Sequence, residues 1–480
     1  MLRRRTAPPS AHPAGPSDQP RTDPADDPRA VRLRERAAFA LGDIASNLTW
    51  TTISSYLLFF YTDVALISAA TAGTVMFAAR LLDAFFDPLV GVLLDRTHTR
   101  RGRARPYLLF GAPLLSGLTV LTFLTPAGGD EPWTITYATV TFILVGLAYS
   151  IVNVPYGALL SMATRDSGTR MKLAGLRSFG VGIGLILVST LTQPLITAIG
   201  GVPTSRLGFG VTITIFSVAG MLLIWLVHAW VKERVALTPA ARERGHLGAS
   251  LRTLARNRPW LSVFAFSILS FARLGVITGG AVYFALHTMR DPAAISVILL
   301  AFSLSAVVGS LLTAPILRVI GHRRGIVLGL VAYIALTLSL VPLREQLVAF
   351  TVVFFAANLV GGLGFVAAPA LTADTVEWQE WRGGRREEGL LFSGYSMSTK
   401  VGAALGSALL AWGLAAIAYD PAAVTPAVAG GIMWLFIALP AGLAVLQILA
   451  IAPYDLQRRL PAIKAEISAR RHAEDPAARP

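Results

Sequence analysis

Residues 75–95 read VMFAARLLDAFFDPLVGVLLD, a segment long enough to cross a membrane that nevertheless contains Arg80, Asp83 and Asp87. Ionised side chains are costly in hydrocarbon, so they persist in membrane helices where they face a water-filled cavity or a partner of opposite charge. Asp83 and Asp87 are four residues apart and share one helix face, and Arg80 lies one turn before Asp83. The segment therefore predicts a membrane helix whose buried charges have a function.

Two carboxylates on one helix face are typical of a binding site for a small cation. Both could coordinate Na+, or the pair could share a proton, because two negative charges so close together repel each other. We expect Arg80 to act as the charge partner of Asp83. The alternative is a structural pair of Arg80 and one acid at a helix contact, which would leave the second acid uncompensated.

The composition predicts an integral membrane protein. Of the 480 residues, 54% are hydrophobic and only 14% are charged, and the mean hydropathy is +0.60. The net charge of +15 does not indicate nucleic acid as a partner, because the arginines concentrate in loops on one side of the hydropathy pattern. The chain contains no cysteine, which excludes disulfides, thiolate metal sites and a cysteine nucleophile. We expect no metal or resident cofactor, and a multi-pass position in the plasma membrane.

Apolar segments of spanning length follow one another along the chain, at 38–64, 68–95, 106–126, 133–160, 173–199, 208–231, 260–287, 293–317, 324–343, 346–370, 390–417 and 427–452. The loops after even-numbered spans are long or basic, whereas those after odd-numbered spans are short and carry little charge. This bias predicts that both termini are cytoplasmic. The longest internal loop separates six spans from six, so we predict an all-α membrane protein with twelve transmembrane helices in two halves.

The predicted parts of the chain are a disordered cytoplasmic tail at 1–37, an N-terminal half at 38–231, a cytoplasmic linker at 232–259, a C-terminal half at 260–452 and a second cytoplasmic tail at 453–480.

Three further charges lie within the spans. Lys400 is in span eleven, which faces span two across the cavity of a two-half bundle, so Asp83 or Asp87 is its expected partner; extension of its ammonium to the cytoplasmic edge is the alternative. Arg177 in span five and Arg273 in span seven could each bind an anionic or hydroxyl-rich solute through their fixed fork of donors. For Arg273 a structural pairing is an equal alternative.

Neutral polar side chains accompany these charges in spans one and four: Asn47, Thr51, Tyr149, Ser150 and Asn153. Hydrogen-bonding groups beside aromatic rings suit a sugar, whose hydroxyls need partners and whose ring stacks. Hydrogen bonds between helices are the competing explanation for each of them. Asp43, near the start of span one, is expected to cap or pair locally.

Taken together, the motifs resemble the glycoside-pentoside-hexuronide:cation symporter family of the major facilitator superfamily, which includes the melibiose permease. The resemblance runs from about residue 37 to 470. Its motifs are LGDIASN and FFYTDV in span one, LLDAFFDPLVGVLLDRTHTRRGRARPYLL from span two, NVPYGALLSMATRDSGTRMKLAGLRSFG around spans four and five, and ADTVEWQEWRGGRREEGLLFSGYSMSTKVG up to span eleven. The resemblance implies the major facilitator fold.

The resemblance also implies roles for individual residues. It implies that Asp83 and Asp87 bind the coupling cation, that Lys400 lies near them and that Arg177 contacts the solute. A cytoplasmic gate is implied for the acids at the inner end of span ten and for the basic loop after span two: Asp374, Glu377, Asp95, Arg96 and Arg101.

The sequence departs from the melibiose pattern at the solute site. Asn47 and Asn153 replace the sugar-binding acids of spans one and four, and Gly157 replaces a tryptophan, so melibiose itself is not expected as the solute. Phe86 replaces an asparagine that helps to hold Na+, although Ser150 keeps a hydroxyl at the cation site. Because Na+ needs several oxygen ligands and a proton needs one carboxylate, we predict H+ coupling in preference to Na+.

The predicted function is cation-coupled symport of a sugar, glycoside or uronide-like solute by alternating access. Arg177 and Arg273 favour a solute that carries a carboxylate. The partners are then a small-molecule solute, a coupling cation and the lipid bilayer. The alternatives are a lipid or lysolipid carrier of the same fold and a transport-dead sensor or scaffold. An enzyme is not expected, because no nucleophile and base, metal-ligand cluster or phosphate-binding loop shares one face.

Overall fold

The computed structural model describes residues 31–164, 166–235, 256–384 and 387–474, and these residues form helices with no β-strand. Residues 1–30 of the predicted first tail, most of the predicted linker (236–255) and the last residues, 475–480, lie outside the described residues.

The first group of helices comprises α1 (Leu33–Phe59), α2 (Ala69–Arg96), α3 (Arg105–Thr122), α4 (Pro132–Ala163), α5 (Ser167–Gly200) and α6 (Arg206–Trp230). The second comprises α7 (Arg258–Tyr283), α8 (Ala293–Ile320), α9 (His322–Leu338), α10 (Leu347–Gly361), α11 (Leu363–Gly383), α12 (Glu388–Ala416), α13 (Pro426–Ile451) and α14 (Leu456–Glu474). Each predicted span overlaps one of these helices, except that the span at 346–370 is divided at Gly362 between α10 and α11.

Eight of the described helical segments are long and apolar enough to cross a membrane by length and composition. The remaining predicted spans coincide with α1, α2, α3 and α9, which are shorter or less apolar. In α2 the polarity comes from the same Arg80, Asp83 and Asp87 that indicated a function.

Two helices extend into the predicted tails. α1 begins at Leu33 because the Glu35 carboxylate accepts the Arg32 N–H at 2.8 Å and pairs with Arg234 at 2.8 Å. α14 occupies most of the predicted tail at 453–480 and packs through the buried side chains of Ile463 and Ile467.

The helices pack as two groups, α1–α6 and α7–α13, which meet where α2 contacts α12, α5 contacts α8, and α1 contacts α7. The loop 96–105 between α2 and α3 defines what we call the basic end of the bundle, and the opposite end is called the far end. At the basic end the Glu233 carboxylate, after α6, accepts the backbone N–H groups of Arg103, Ala104 and Arg105. This contact fixes the basic loop against the first group.

The start of α5 at the basic end is fixed by its N-cap. The Asp166 carboxylate accepts the Thr169 N–H at 2.6 Å. This hydrogen bond holds the pKa of the Asp166 carboxyl below its ordinary value, because it stabilises the ionised form.

The two groups repeat one unusual feature at the far end. α1 and α7 each continue into one π-helical turn, Phe60–Val64 and Phe284–Thr288. Two residues after each turn comes a non-glycine residue with positive φ, Leu66 (61°) and Arg290 (55°). A positive φ is unfavourable for residues other than glycine, yet it recurs at equivalent places after α1 and α7. This recurrence is typical of a protein that is built from two structural repeats.

Candidate cation and solute site

Asp83 and Asp87 of α2 bind the Lys400 ammonium of α12. The Nζ atom lies 3.1 Å from Asp83 Oδ2, 2.8 Å from Asp87 Oδ2 and 3.0 Å from the Asp83 carbonyl oxygen. On the other side of the acids, the Ser150 hydroxyl of α4 lies 2.6 Å from Asp87 Oδ1 and 3.3 Å from Asp83 Oδ1. The ammonium therefore already contacts the oxygens that could bind a small cation.

The two carboxylates differ in their access to solvent. The side chain of Asp83 is 4% exposed and that of Asp87 is 30% exposed. Asp87 is therefore the more accessible of the two acids.

Small and special residues hold the three helices close enough for these contacts. A Cβ atom at Gly146 of α4 would lie 3.2 Å from Asp83 Oδ1. Pro88 follows Asp87 within α2 and cannot donate a backbone hydrogen bond to the Ala84 carbonyl, which loosens the helix beside the acids. On α12, Gly402 packs against the backbone of α7 and positions the turn that carries Lys400.

Arg80 does not have the partner that we expected from the sequence. Its guanidinium donates to Ser54 Oγ at 3.3 Å and lies 4.8 Å from the centre of the Trp50 ring, and the described residues contain no ion pair between Arg80 and Asp83. Long side chains of an α-helix lean towards its N-terminus, so the guanidinium extends away from Asp83. The acids are compensated by Lys400 of the other group instead.

Arg177 of α5 is paired with Asp43 of α1. Its Nε and Nη2 donate to the two carboxylate oxygens at 2.8 and 3.1 Å. The Tyr156 hydroxyl donates to Asp43 Oδ2 at 2.7 Å, and the ring lies 4.6 Å from the guanidinium. Asp43 therefore pairs with a residue 134 positions away and not locally as expected.

Arg273 lies inside the second group and is 6% exposed. Its guanidinium donates to the Gly361 carbonyl at 2.7 Å and lies 4.3 Å from the centre of the Tyr333 ring. In this conformation its contacts are those of a structural residue between α7, α9 and α10.

The neutral polar residues form two sets. The Thr51 hydroxyl donates to the Asn47 side-chain oxygen at 3.0 Å, and the Asn47 amide donates to the Asp43 carbonyl at 2.8 Å. Tyr149 and Asn153 line a cleft among α1, α3, α4 and α6 whose free volume is about 10 Å³. That volume holds roughly one water molecule, so this cleft is too small for a sugar ring.

Trp50 is a residue of this region that the sequence analysis missed. Its ring stacks on Tyr149 with 4.7 Å between the ring centres, and Arg80 lies against it. A lone tryptophan in an apolar span gives no signal of its own, although it follows the LGDIASN motif by three residues.

The residues expected to form the gate lie at the basic end and are held within their own groups. Asp95 pairs with Arg103 of the same loop at 3.9 Å, and Arg96 and Arg101 are exposed. Asp374 of α11 accepts a hydrogen bond from Tyr454 at 3.3 Å, and Glu377 lies one turn further along α11.

The two groups are instead joined at the far end by what we call the far-end cluster: Thr62, Asp63, Tyr283, His287 and Tyr419. Asp63 and His287 are the fourth residues of the two π turns. The Tyr419 hydroxyl donates to Asp63 Oδ1 at 2.7 Å and lies 2.9 Å from His287 Nε2.

The other Asp63 oxygen accepts the Thr62 hydroxyl at 2.6 Å, which lies 2.7 Å from the Tyr283 hydroxyl. Hydroxyl groups on both sides of Asp63 thus tie the first group to the second. Thr62 and Asp63, in the FFYTDV motif, carried a sequence signal, whereas Tyr283, His287 and Tyr419 did not.

The family model described as MFS/sugar transport protein matches residues 38–458. The chain belongs to this family. As a member of the MFS sugar-transport family it is a multi-pass transporter of the plasma membrane and not an enzyme.

Two named relatives are similar to this chain, and one solved structure shares its fold. The isoprimeverose transporter of Lactiplantibacillus pentosus is 34% identical over 79% of each chain. The putative glycoside/cation symporter YagG of Escherichia coli K12 is 32% identical over 81% of this chain and 84% of its own. The crystal structure of the nucleoside transporter NupG has the same fold, with a TM-score of 0.60, 15% identity and coverage of 88% of this chain and 99% of its own.

In the described part of this transporter, no group of three or more His, Asp or Glu side chains is arranged to hold a metal ion. The charged residues near the middle of the bundle are paired with one another or with aromatic rings.

Proposed function

We propose that the protein is a symporter that couples the entry of a sugar or glycoside to H+ in preference to Na+, with twelve spans and both termini in the cytoplasm. The observation that supports it most is the Lys400 ammonium held between Asp83 and Asp87. The Lys400 ammonium of the second group occupies the two carboxylates of the first group. A coupling cation therefore has to compete with this ammonium for the same oxygens.

The competition links cation binding to the contact between the two groups. A proton on Asp87, the more exposed acid, removes one of the two charges that hold Lys400 at 2.8 and 3.1 Å. The contact between α2 and α12 is weakened, and their arrangement becomes free to change. Rocking of the groups about this contact would expose the site alternately at the two ends.

The surroundings of the acids favour a proton. Besides the carboxylates, the Ser150 hydroxyl and the Asp83 carbonyl are the oxygens in contact with the cluster. Phe86 is beside Asp87 on α2, and Gly146 faces Asp83 without a side chain. The Lys400 ammonium already occupies these oxygens, and a proton needs only one of them, whereas Na+ would have to displace the ammonium from several at once.

The orientation follows from the charge distribution. Basic loops favour the cytoplasmic side, so the basic end is assigned to the cytoplasm and the far end to the exterior. The far-end cluster then closes the outer side in this conformation. In the opposite conformation Asp95, Arg96, Arg101, Asp374 and Glu377 would close the inner side.

The solute is assigned to a cavity between Lys400 and Arg177 that opens when the helices rearrange, because the cleft that Tyr149 and Asn153 line in this conformation is too small for a sugar. Helices α1, α4 and α5 would contribute Asn47, Thr51, Tyr149, Asn153 and Arg177 to it. Arg273 would contribute from the second group only after it leaves Gly361. The isoprimeverose transporter and YagG, by their names, support a glycoside as the solute class.

Proteoliposomes test the function directly. With a pH dye inside, we expect a neutral glycoside to cause proton entry that does not require Na+, because solute and proton enter together. A response only in the presence of Na+ would contradict the choice of cation. A response to lysolipid but to none of the glycosides, pentosides and uronides would contradict the solute class.

The far-end cluster can be tested through Tyr419→Phe. Removal of a hydrogen bond to a carboxylate costs roughly 1.5–3 kcal/mol, so we expect the far end to open at least about tenfold more often. Because the chain has no cysteine, a single Thr278→Cys on α7, which is 7% exposed, can report this opening through its rate of labelling by an impermeant maleimide.

Tyr137→Phe is the matched control, since the Tyr137 hydroxyl donates to the Leu121 carbonyl within the first group. Equal labelling rates for Tyr419→Phe and the parent protein would show that the far-end cluster does not hold the outer side closed.

A further inference from the structure

We propose that the solute is an uncharged glycoside or pentoside and not a uronide or another carboxylate, and that Asp43 determines this by neutralising Arg177. The inference rests on the proposed function, because it concerns the solute of the same cavity.

Asp43 and Arg177 form a bidentate ion pair. The side chain of Asp43 is 9% exposed, and both of its oxygens accept from the guanidinium. Two parallel bonds to a carboxylate are the strongest arrangement that an arginine makes. A carboxylate of the solute would have to displace Asp43 to obtain the same bonds.

Three helices cooperate to hold this pair. Tyr156 of α4 donates to Asp43 and covers the guanidinium with its ring. The ring fits only because Gly42 of α1 has no side chain, since a Cβ atom at this position would overlap it. The pair is therefore part of the packing of α1, α4 and α5, and its charge is compensated before any solute arrives.

The exposed part of the pair suits hydroxyl groups. The side chain of Arg177 is 24% exposed, and its bonds to Asp43 use Nε and Nη2, which leaves Nη1 to other partners. A sugar hydroxyl can accept from Nη1 and donate to the remaining lone pair of Asp43 Oδ1. A carboxylate has no proton to donate and would lie beside the negative charge of Asp43.

Among the described residues, no other cation of this region is available to an anion. Lys400 is shared between two carboxylates. Arg80 is 3% exposed and lies against Trp50, and Arg273 is bound to the Gly361 carbonyl. In number, the three acids of this region, Asp43, Asp83 and Asp87, are matched by the three cations Arg177, Lys400 and Arg80, so no surplus positive charge is left for an anion. The preference for a carboxylate that Arg177 and Arg273 indicated in the sequence is thereby reversed.

The test uses two solutes that differ only at C6, where methyl β-glucoside has a hydroxymethyl group and methyl β-glucuronide has a carboxylate, with methyl β-xyloside as the pentoside. In proteoliposomes we expect the glucoside or the xyloside to drive proton entry at a half-saturating concentration at least about tenfold below that of the glucuronide, because like charges placed together repel strongly. Asp43→Asn releases the charge of Arg177 and should shift this ratio about tenfold towards the glucuronide. Asp43→Glu keeps the charge and should keep the preference for the neutral sugar.

Glu35→Gln is the control, since Glu35 forms a buried pair with Arg234 at the basic end of the same helix. It should leave the ratio unchanged. Equal responses of the parent protein to the charged and neutral solutes, or a ratio that Asp43→Asn leaves unchanged, would overturn the inference while glycoside symport stood. If no sugar caused proton entry, both the proposed function and this inference would be overturned. If Asp43→Asn does not fold, the comparison of the glucoside with the glucuronide in the parent protein still tests whether the solute is uncharged.

Discussion

Asp87→Asn should abolish accumulation of the solute against its gradient. An amide keeps the size of the side chain and can still bond to Ser150, but it cannot take up the coupling proton. In proteoliposomes with an imposed difference of about one pH unit, one proton per solute supports about tenfold accumulation. We expect the parent protein to approach this ratio and the variant to stay at unity.

Exchange of internal for external solute should continue in Asp87→Asn. The uncharged amide resembles the protonated acid, so the loaded carrier can still change its conformation in both directions. Retained exchange would show that the variant is folded and binds solute. Asp455→Asn is the control, because this exposed acid pairs with Arg459 on α14, outside the site. If Asp87→Asn still accumulated solute under the pH difference, Asp87 would not be a coupling residue.

Lys400→Met should have the largest effect on stability. It leaves Asp83 and Asp87 together without the ammonium that lies within 3.1 Å of both. Breaking a buried ion pair by removing one partner costs about 3–5 kcal/mol of the free energy of unfolding. Thermal unfolding in detergent should therefore occur at a clearly lower temperature than in the parent protein.

Two further measurements separate lost charge compensation from lost packing. In Asp83→Asn/Lys400→Met one unpaired acid is removed with the lysine, so most of the stability should return. The deficit of Lys400→Met should also shrink as the pH is lowered, because protonation removes the negative charges that repel each other. Lys464→Met, at an exposed lysine of α14, should unfold like the parent protein. A double variant no more stable than Lys400→Met would show that compensation of the acids is not the role of Lys400.

The far end and the middle of the bundle are held together by different chemistry. The far end is held by hydroxyl groups around one acid, Asp63, through Tyr419 and Thr62. The middle is held by full charges on α2 and α12. Binding of one proton at Asp87 therefore acts on the contact between α2 and α12, which depends most on charge. The far-end cluster is not required to bind the coupling proton.

The sequence by itself determined the class of protein, the helical segments and the family. These depend on local quantities: the length of an apolar run, the cost of a charge within it and the order of short motifs. The approach of Lys400 to Asp83 and Asp87 was also predictable. An ammonium and two carboxylates in hydrocarbon need partners of opposite charge, and few other charges lie within the spans.

Only the tertiary structure decided which other charges meet. Arg80 shares a helix with Asp83 but leans towards Trp50, and Asp43 pairs with Arg177 across 134 positions of the chain. The far-end cluster combines equivalent residues of two repeats, Asp63 and His287, with Tyr419 from a third place. Such contacts depend on which helix faces meet and on the direction in which each side chain extends. The order of residues along a single helix specifies neither the facing helix nor the side-chain direction.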